Sequence, residues 1–102
     1  MNEHLQEIAA DPDKYDLILS GHFRRECNGR YIYTGEENGK PRYSRQGNHQ
    51  IKVCWTGGAW DIYYGGYSPE APNNTPVPPL TGYTRDQVFS KIVIRYEKAR
   101  LL

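Results

Sequence analysis

Long apolar runs are the first thing this sequence lacks. No stretch approaches the eighteen or so residues that a membrane span needs, and the opening MNEHLQEIAADPDK carries acids where a secretory signal would be hydrophobic. Cysteine is scarce too. Cys27 and Cys54 are too few for a disulfide framework and are expected as free thiols in a reducing compartment. The expected location is therefore intracellular and cytoplasmic, where the Asn73-Asn74-Thr75 sequon has no meaning. Charge of one sign is also missing. Thirteen basic and twelve acidic residues leave a net charge of +1, so no global field draws in nucleic acid or an acidic membrane. Apolar residues make up only 37% of the chain, with a mean hydropathy of -0.83.

Against that thin apolar content stand nine tyrosines, two tryptophans and two phenylalanines, the aromatic bulk that disordered chains do not have. A chain of 102 residues fits one domain with a modest core. The expected organisation is an N-terminal helical segment over residues 1–14, a single β domain over 15–97 and a tail over 98–102.

Residues 2–10 read as a short helix, with Asn2 as N-cap, a stripe of Leu5, Ile8 and Ala9, and Asp11-Pro12 as its end. Nine residues do not hold a helix alone in water, so it docks or frays. From Tyr15 the pattern changes to short β-like runs: YDLILS, RYIYT, and Arg42 to Arg45 after Pro41. The clearest strand pair follows. Ile51, Val53 and Trp55 share one face, Trp60, Ile62 and Tyr64 share another, and Thr56-Gly57-Gly58-Ala59 joins them as a hairpin loop. Trp55 and Trp60 then meet across the strands. Residues 68–83, SPEAPNNTPVPPLTGY, form an extended proline strap that packs over the chain's own aromatics. Its Pro76 to Pro79 stretch also has the form of a PxxP ligand. The last segment is open between a helix, from Thr84, Gln87 and the four-residue spacing of Val88, Ile92 and Tyr96, and a strand. The β-branched alternation of KIVIRYE favours the strand. The fold class expected is mainly β: a small antiparallel sheet or meander with a short N-terminal helix and a proline-rich strap.

Asn-Gly occurs twice, at Asn28-Gly29 and Asn38-Gly39, each ahead of an arginine and tyrosines. A phosphate loop needs clustered glycines and a following helix, whereas Asn-Gly suits the type I′ hairpin, so both are read as chain reversals bracketing RYIYT. His22-x4-Cys27 and His49-x4-Cys54 repeat one spacing, but positions five apart on a strand point to opposite faces, so no metal or other cofactor is expected. Cys27 has His22 nearby, with Arg24 and Arg25 to depress its pKa, but nothing local offers an oxyanion hole. No catalytic residue is assigned and the chain is not read as an enzyme.

Two surfaces remain as ligand-binding candidates. From Gly21 to Lys52, seven basic and three acidic residues leave a local charge of +4. Arg30, Tyr31, Tyr33, Arg42 and Tyr43 interleave there as a stacking platform, while Tyr63, Tyr64 and Tyr67 suggest a flat aromatic groove. The expected function is a non-catalytic binding module for a protein, peptide or glycan. The alternatives are a single-stranded nucleic-acid binder through the Arg/Tyr patch, which the near-zero net charge disfavours, or a Cys/His metal or enzyme site. No membrane partner is expected, and the oligomeric state stays open.

In order along the chain stand Asn28-Gly29-x-Tyr31, Asn38-Gly39-x-Pro41-x-Tyr43, Trp55, Trp60-x-Ile62, Tyr64, Pro78-Pro79 and Gly82-Tyr83. This order is similar to a small module of protist and algal multidomain proteins, in which NG-Y, NG-P-Y, two tryptophans, a tyrosine and a closing PP-x-x-G-W recur. It spans roughly residues 17–84, with Tyr83 where the module has tryptophan. The resemblance implies a compact β domain in a binding or scaffolding role and carries no site residue or ligand across.

Overall fold

The computed structural model describes residues 2–64, 68–85 and 88–100. It opens with helix α1 (Asn2–Ala10), and nine strands follow among the described residues. They are β1 (Tyr15–Ser20), β2 (Gly29–Glu37), β3 (Lys40–Arg45), β4 (Asn48–Trp55), β5 (Trp60–Tyr63), β6 (Glu70–Ala71), β7 (Thr84–Arg85), β8 (Val88–Phe89) and β9 (Val93–Lys98). The final segment is thus strand, and Gln87, half of the alternative capping box, lies outside the described residues. Lys98 closes β9 and Ala99 N–H bonds to the Lys14 carbonyl at 2.8 Å, so the tail is tied down at its start.

All neighbours pair antiparallel in one sheet of order β8-β7-β6-β5-β4-β3-β2-β1-β9. The order forces a curl. Laid flat, nine strands would set the two edges roughly 38 Å apart at about 4.8 Å per strand. Yet β8 and β9, the two edges, are joined by residues 90–92 alone, a link that reaches at most about 14 Å. The meander therefore rolls into a half-barrel.

Period-two alternation decides what lies inside it. One inner row runs Tyr33, Tyr43, Val53, Ile62 across β2 to β5, and a second runs Trp55, Trp60, Ala71 across β4 to β6. Leu17 and Leu19 of β1 join them opposite Tyr96 and Ile94. The expected tryptophan pair is formed, with ring centroids 5.5 Å apart across the Thr56 to Ala59 loop. A smaller cluster holds α1: Leu5 and Ile8 pack on Val77 of the strap, with Tyr15, Leu80 and Tyr96 around them.

The tyrosines explain how so short a chain carries a proline strap. Proline contributes a carbonyl and no N–H, so a buried strap needs donors from elsewhere. Tyr96 and Tyr83 hydroxyls donate to the carbonyls of Pro78 and Pro79 at 2.7 and 2.8 Å, and Trp60 Nε1 donates to Thr75 Oγ1 at 3.0 Å. Pro78 and Pro79 are buried, so the second half of the PxxP stretch is part of the core wall, while Pro76 stays exposed.

The two Asn-Gly pairs differ. Asn38-Gly39 is the expected tight hairpin between β2 and β3, with φ of 54° and 84° and Glu37 opposite Lys40. It also repairs a defect. The β3–β4 register places Pro41 opposite Trp55, where proline has no N–H to give, and Asn38 Nδ2 donates to the Trp55 carbonyl instead at 2.8 Å. Asn28-Gly29 is not a hairpin turn. Asn28 is extended at φ -82°, ψ 144°, and the reversal is spread over residues 21–28 with a 3-10 turn at Arg25–Cys27. Asn28's amide closes that loop by bonding both the N–H and the carbonyl of His22, each at 2.9 Å.

Candidate binding clefts

Strand β5 presents Trp60 and Ile62 inward, so Asp61 and Tyr63 face out. Tyr63 stands opposite Lys52 of β4, whose ammonium lies 5.9 Å from the Tyr63 ring centroid and 3.1 Å from Glu37 Oε1. His49, Gln50 and Tyr64 complete a cleft of about 500 Å³ at this end of the half-barrel. Tyr63 is 44% exposed, and Phe23, in the loop after β1, is 66% exposed. Arg24 links Phe23 to Tyr64 rather than to Tyr63, its guanidinium 5.4 Å from the Tyr64 ring and 5.9 Å from the Phe23 ring. The result is an aromatic surface edged by cations and amides. Tyr67, the other half of the expected groove, lies outside the described residues.

The Arg/Tyr platform is divided between core and scaffold. Tyr31 and Tyr43 are fully buried, and the Tyr31 hydroxyl donates to the Cys27 carbonyl at 2.6 Å. Tyr33 is half-buried and packs edge-on to Tyr43, centroids 6.0 Å apart. Arg30 forks between Asp16 and Glu97 at 2.8 and 2.7 Å, with 13% of its side chain exposed. Arg42 bonds the Thr34 carbonyl at 2.6 Å and approaches Glu37 at 3.5 Å. These side chains were read as one stacking platform. Strand parity instead sends Tyr31 and Tyr43 inside, and the arginines are spent on carboxylates outside.

Neither thiol is poised as a nucleophile. Burial pushes the Cys27 pKa up by more than Arg24 pulls it down, and burial pushes Cys54 up to about 11. His22 is buried and its pKa is lowered, first by that burial and then by Arg24. His49 is exposed while Cys54 is buried behind the outer face, and among the described residues no group of three or more ligand side chains converges on a metal position. A row of Cys54, Asp61 and Glu70 does cross β4, β5 and β6 on the outer face. Asp61 Oδ1 there has no hydrogen-bond partner among the described residues, and burial, then the Glu70 charge, raises this carboxyl to about 6.

Sequence reasoning passed over Phe23, Lys52 and Gln50 as site residues. The Lys52 contact was available in it: a hairpin that pairs Trp55 with Trp60 also pairs Lys52 with Tyr63. Phe23 carried no such signal, because its loop has no periodicity. No described helix is long and apolar enough to cross a membrane. No family model matches the chain, and neither a curated protein nor a solved structure matches it.

Proposed function

We propose that this chain is a non-catalytic binding module whose ligand, an extended peptide or a glycan, lies on Tyr63. One observation carries the reading: Tyr63 is an exposed aromatic residue although Trp60 and Ile62 of its strand are fully buried. Around that ring, Lys52, His49 and Gln50 offer hydrogen-bonding ends over a cleft of ligand size. A flat aromatic face with polar groups at its margin suits sugar rings and polar peptide backbones alike. The resemblance to the protist and algal module adds a scaffolding role, and the two free, buried thiols support an intracellular setting.

Glycan and peptide arrays probed with the parent chain and Tyr63→Ala test it. The expected result is an array signal that Tyr63→Ala removes while stability stays within about 1 kcal/mol. If Tyr63→Ala destabilises as Trp60→Ala should, by about 3 to 5 kcal/mol, Tyr63 is structural and the reading falls. A second reading, single-stranded nucleic acid, is favoured by Arg24 lying against Tyr64 beside the same cleft. It expects oligonucleotide affinity that falls steeply with salt, and no binding at low salt removes it.

A further inference from the structure

A second cleft, of about 630 Å³, opens at the other end of the half-barrel and shares no lining residue with the first. It lies where the end of α1, the β2–β3 hairpin and the strap come together. Ala10, Pro41 and Pro76 give it apolar walls and Tyr33 an aromatic one, while Asp13, Glu36 and Lys40 supply the charges.

Those charges are not equally available. The Lys40 ammonium is bonded to Asn74 Oδ1 at 2.5 Å and to the Thr75 carbonyl at 2.6 Å, and it sits 4.3 Å from the Trp55 ring centroid. It pins the hairpin to the strap and has little left to offer a ligand. Asp13 and Glu36 are exposed and form no ion pair among the described residues. Helix α1 ends at the cleft with no basic residue in its last turn, so the partial negative charge of its carbonyl end stands uncompensated there. Lys14, the nearest cation in sequence, does not line the cleft and turns to Asp11 at 3.9 Å. A molecule of net charge +1 thus has a locally negative, partly apolar pocket.

We propose that this cleft docks a lysine or arginine side chain carried on an extended segment of a partner protein. The cationic end lies between Asp13 and Glu36, and the Tyr33 ring supplies the face that favours a cation. The aliphatic stem runs along Pro41 and Pro76, since long basic side chains cover apolar surface with their methylenes. The Tyr63 cleft shares none of these residues, and its own cation, Lys52, is engaged by Glu37 at 3.1 Å.

The test is an NMR titration of the ¹⁵N-labelled full chain with a capped peptide alternating lysine and alanine, and with its glutamate–alanine counterpart. The lysine peptide is expected to move the Ala10, Asp13, Glu36 and Gly39 amides saturably, and the glutamate peptide to leave them unmoved. Asp13→Lys combined with Glu36→Lys should weaken the lysine peptide by at least about tenfold. Asp13→Asn with Glu36→Gln, a milder change at the same exposed positions, should weaken it less and covers the case in which reversal disturbs folding. Equal response to both peptides, response confined to the Tyr63 end, no response to the lysine peptide, or unchanged affinity in the neutral variant overturns the proposal.

Discussion

Tyr31 and Tyr43 are both fully buried, yet among the described residues only one hydroxyl has a partner. Tyr31 donates to the Cys27 carbonyl, while Tyr43's hydroxyl finds none there. Removing a satisfied donor strands a buried carbonyl, whereas removing an orphan leaves nothing behind. Tyr31→Phe is therefore expected to lose about 1 to 3 kcal/mol in denaturant unfolding, and Tyr43→Phe to be neutral or stabilising. Equal losses would contradict this assignment. Asp61 carries a pH prediction. Its folded pKa of about 6 lies above the ordinary aspartate value of 3.8, so folding favours the protonated form. That stabilisation is complete below about pH 4 and is lost as pH rises through about 6. Buried His22, with its pKa lowered, acts oppositely: its unfolded form takes up protons first, so its contribution falls as pH drops through the usual histidine range. The parent's own profile mixes the two. The Asp61→Asn difference separates them: relative to the parent, the variant should gain on the order of 1 to 3 kcal/mol between pH 4 and pH 7. A pH-independent difference would rule out a proton on Asp61.

At the scale of elements, glycine marks two different needs. Gly21 and Gly39 have nearly the same φ, 83° and 84°. A Cβ on Gly21 would stand 2.0 Å from the Lys91 carbonyl oxygen, because the chain entering β9 lies close against the end of β1, where Ser20 pairs with Val93. A Cβ on Gly39 meets nothing within 4 Å. Gly39→Ala should therefore show only the left-handed conformational cost, about 1 to 2 kcal/mol. Gly21→Ala adds a backbone collision and should lose upwards of about 3 kcal/mol or fail to fold. Thermal melts of the pair check this, and comparable losses would mean that the close approach at Lys91 yields readily.

For the whole molecule, the two hydrophobic clusters set a boundary. Ile8 is fully buried, but against Val77 and Leu80 of the strap and away from the main barrel interior. Ile8→Ala is expected to cost about 2 to 5 kcal/mol at most and to release α1 before the sheet. Native-state hydrogen exchange should then show lost protection at the α1 amides with β2, β3 and β4 still protected. Uniform loss across helix and sheet would make the domain one cooperative unit. Release of α1 would also dismantle one wall of the Asp13–Glu36 cleft, so cationic-peptide binding and helix protection should fall together.

Local periodicity alone determined much of this protein. The 2–10 helix, the strand pair through Ile51 and Ile62, the tryptophan contact and the Asn38-Gly39 turn were legible, since each depends on neighbours in sequence or across one tight loop. The fate of the Arg/Tyr surface was not. Arg30 finds its partners at Asp16 and Glu97, and the strap finds its donors at Tyr83 and Tyr96, through strand order and curl that no local pattern encodes. Asn28-Gly29 was misread for the same reason: the dipeptide tolerates a tight turn, but its amide was claimed by His22 six residues earlier. Side-chain parity belongs to the sequence. Which parity becomes the inside, and so which aromatics are left to meet a partner, is decided when the meander closes on itself and only one face can be kept dry.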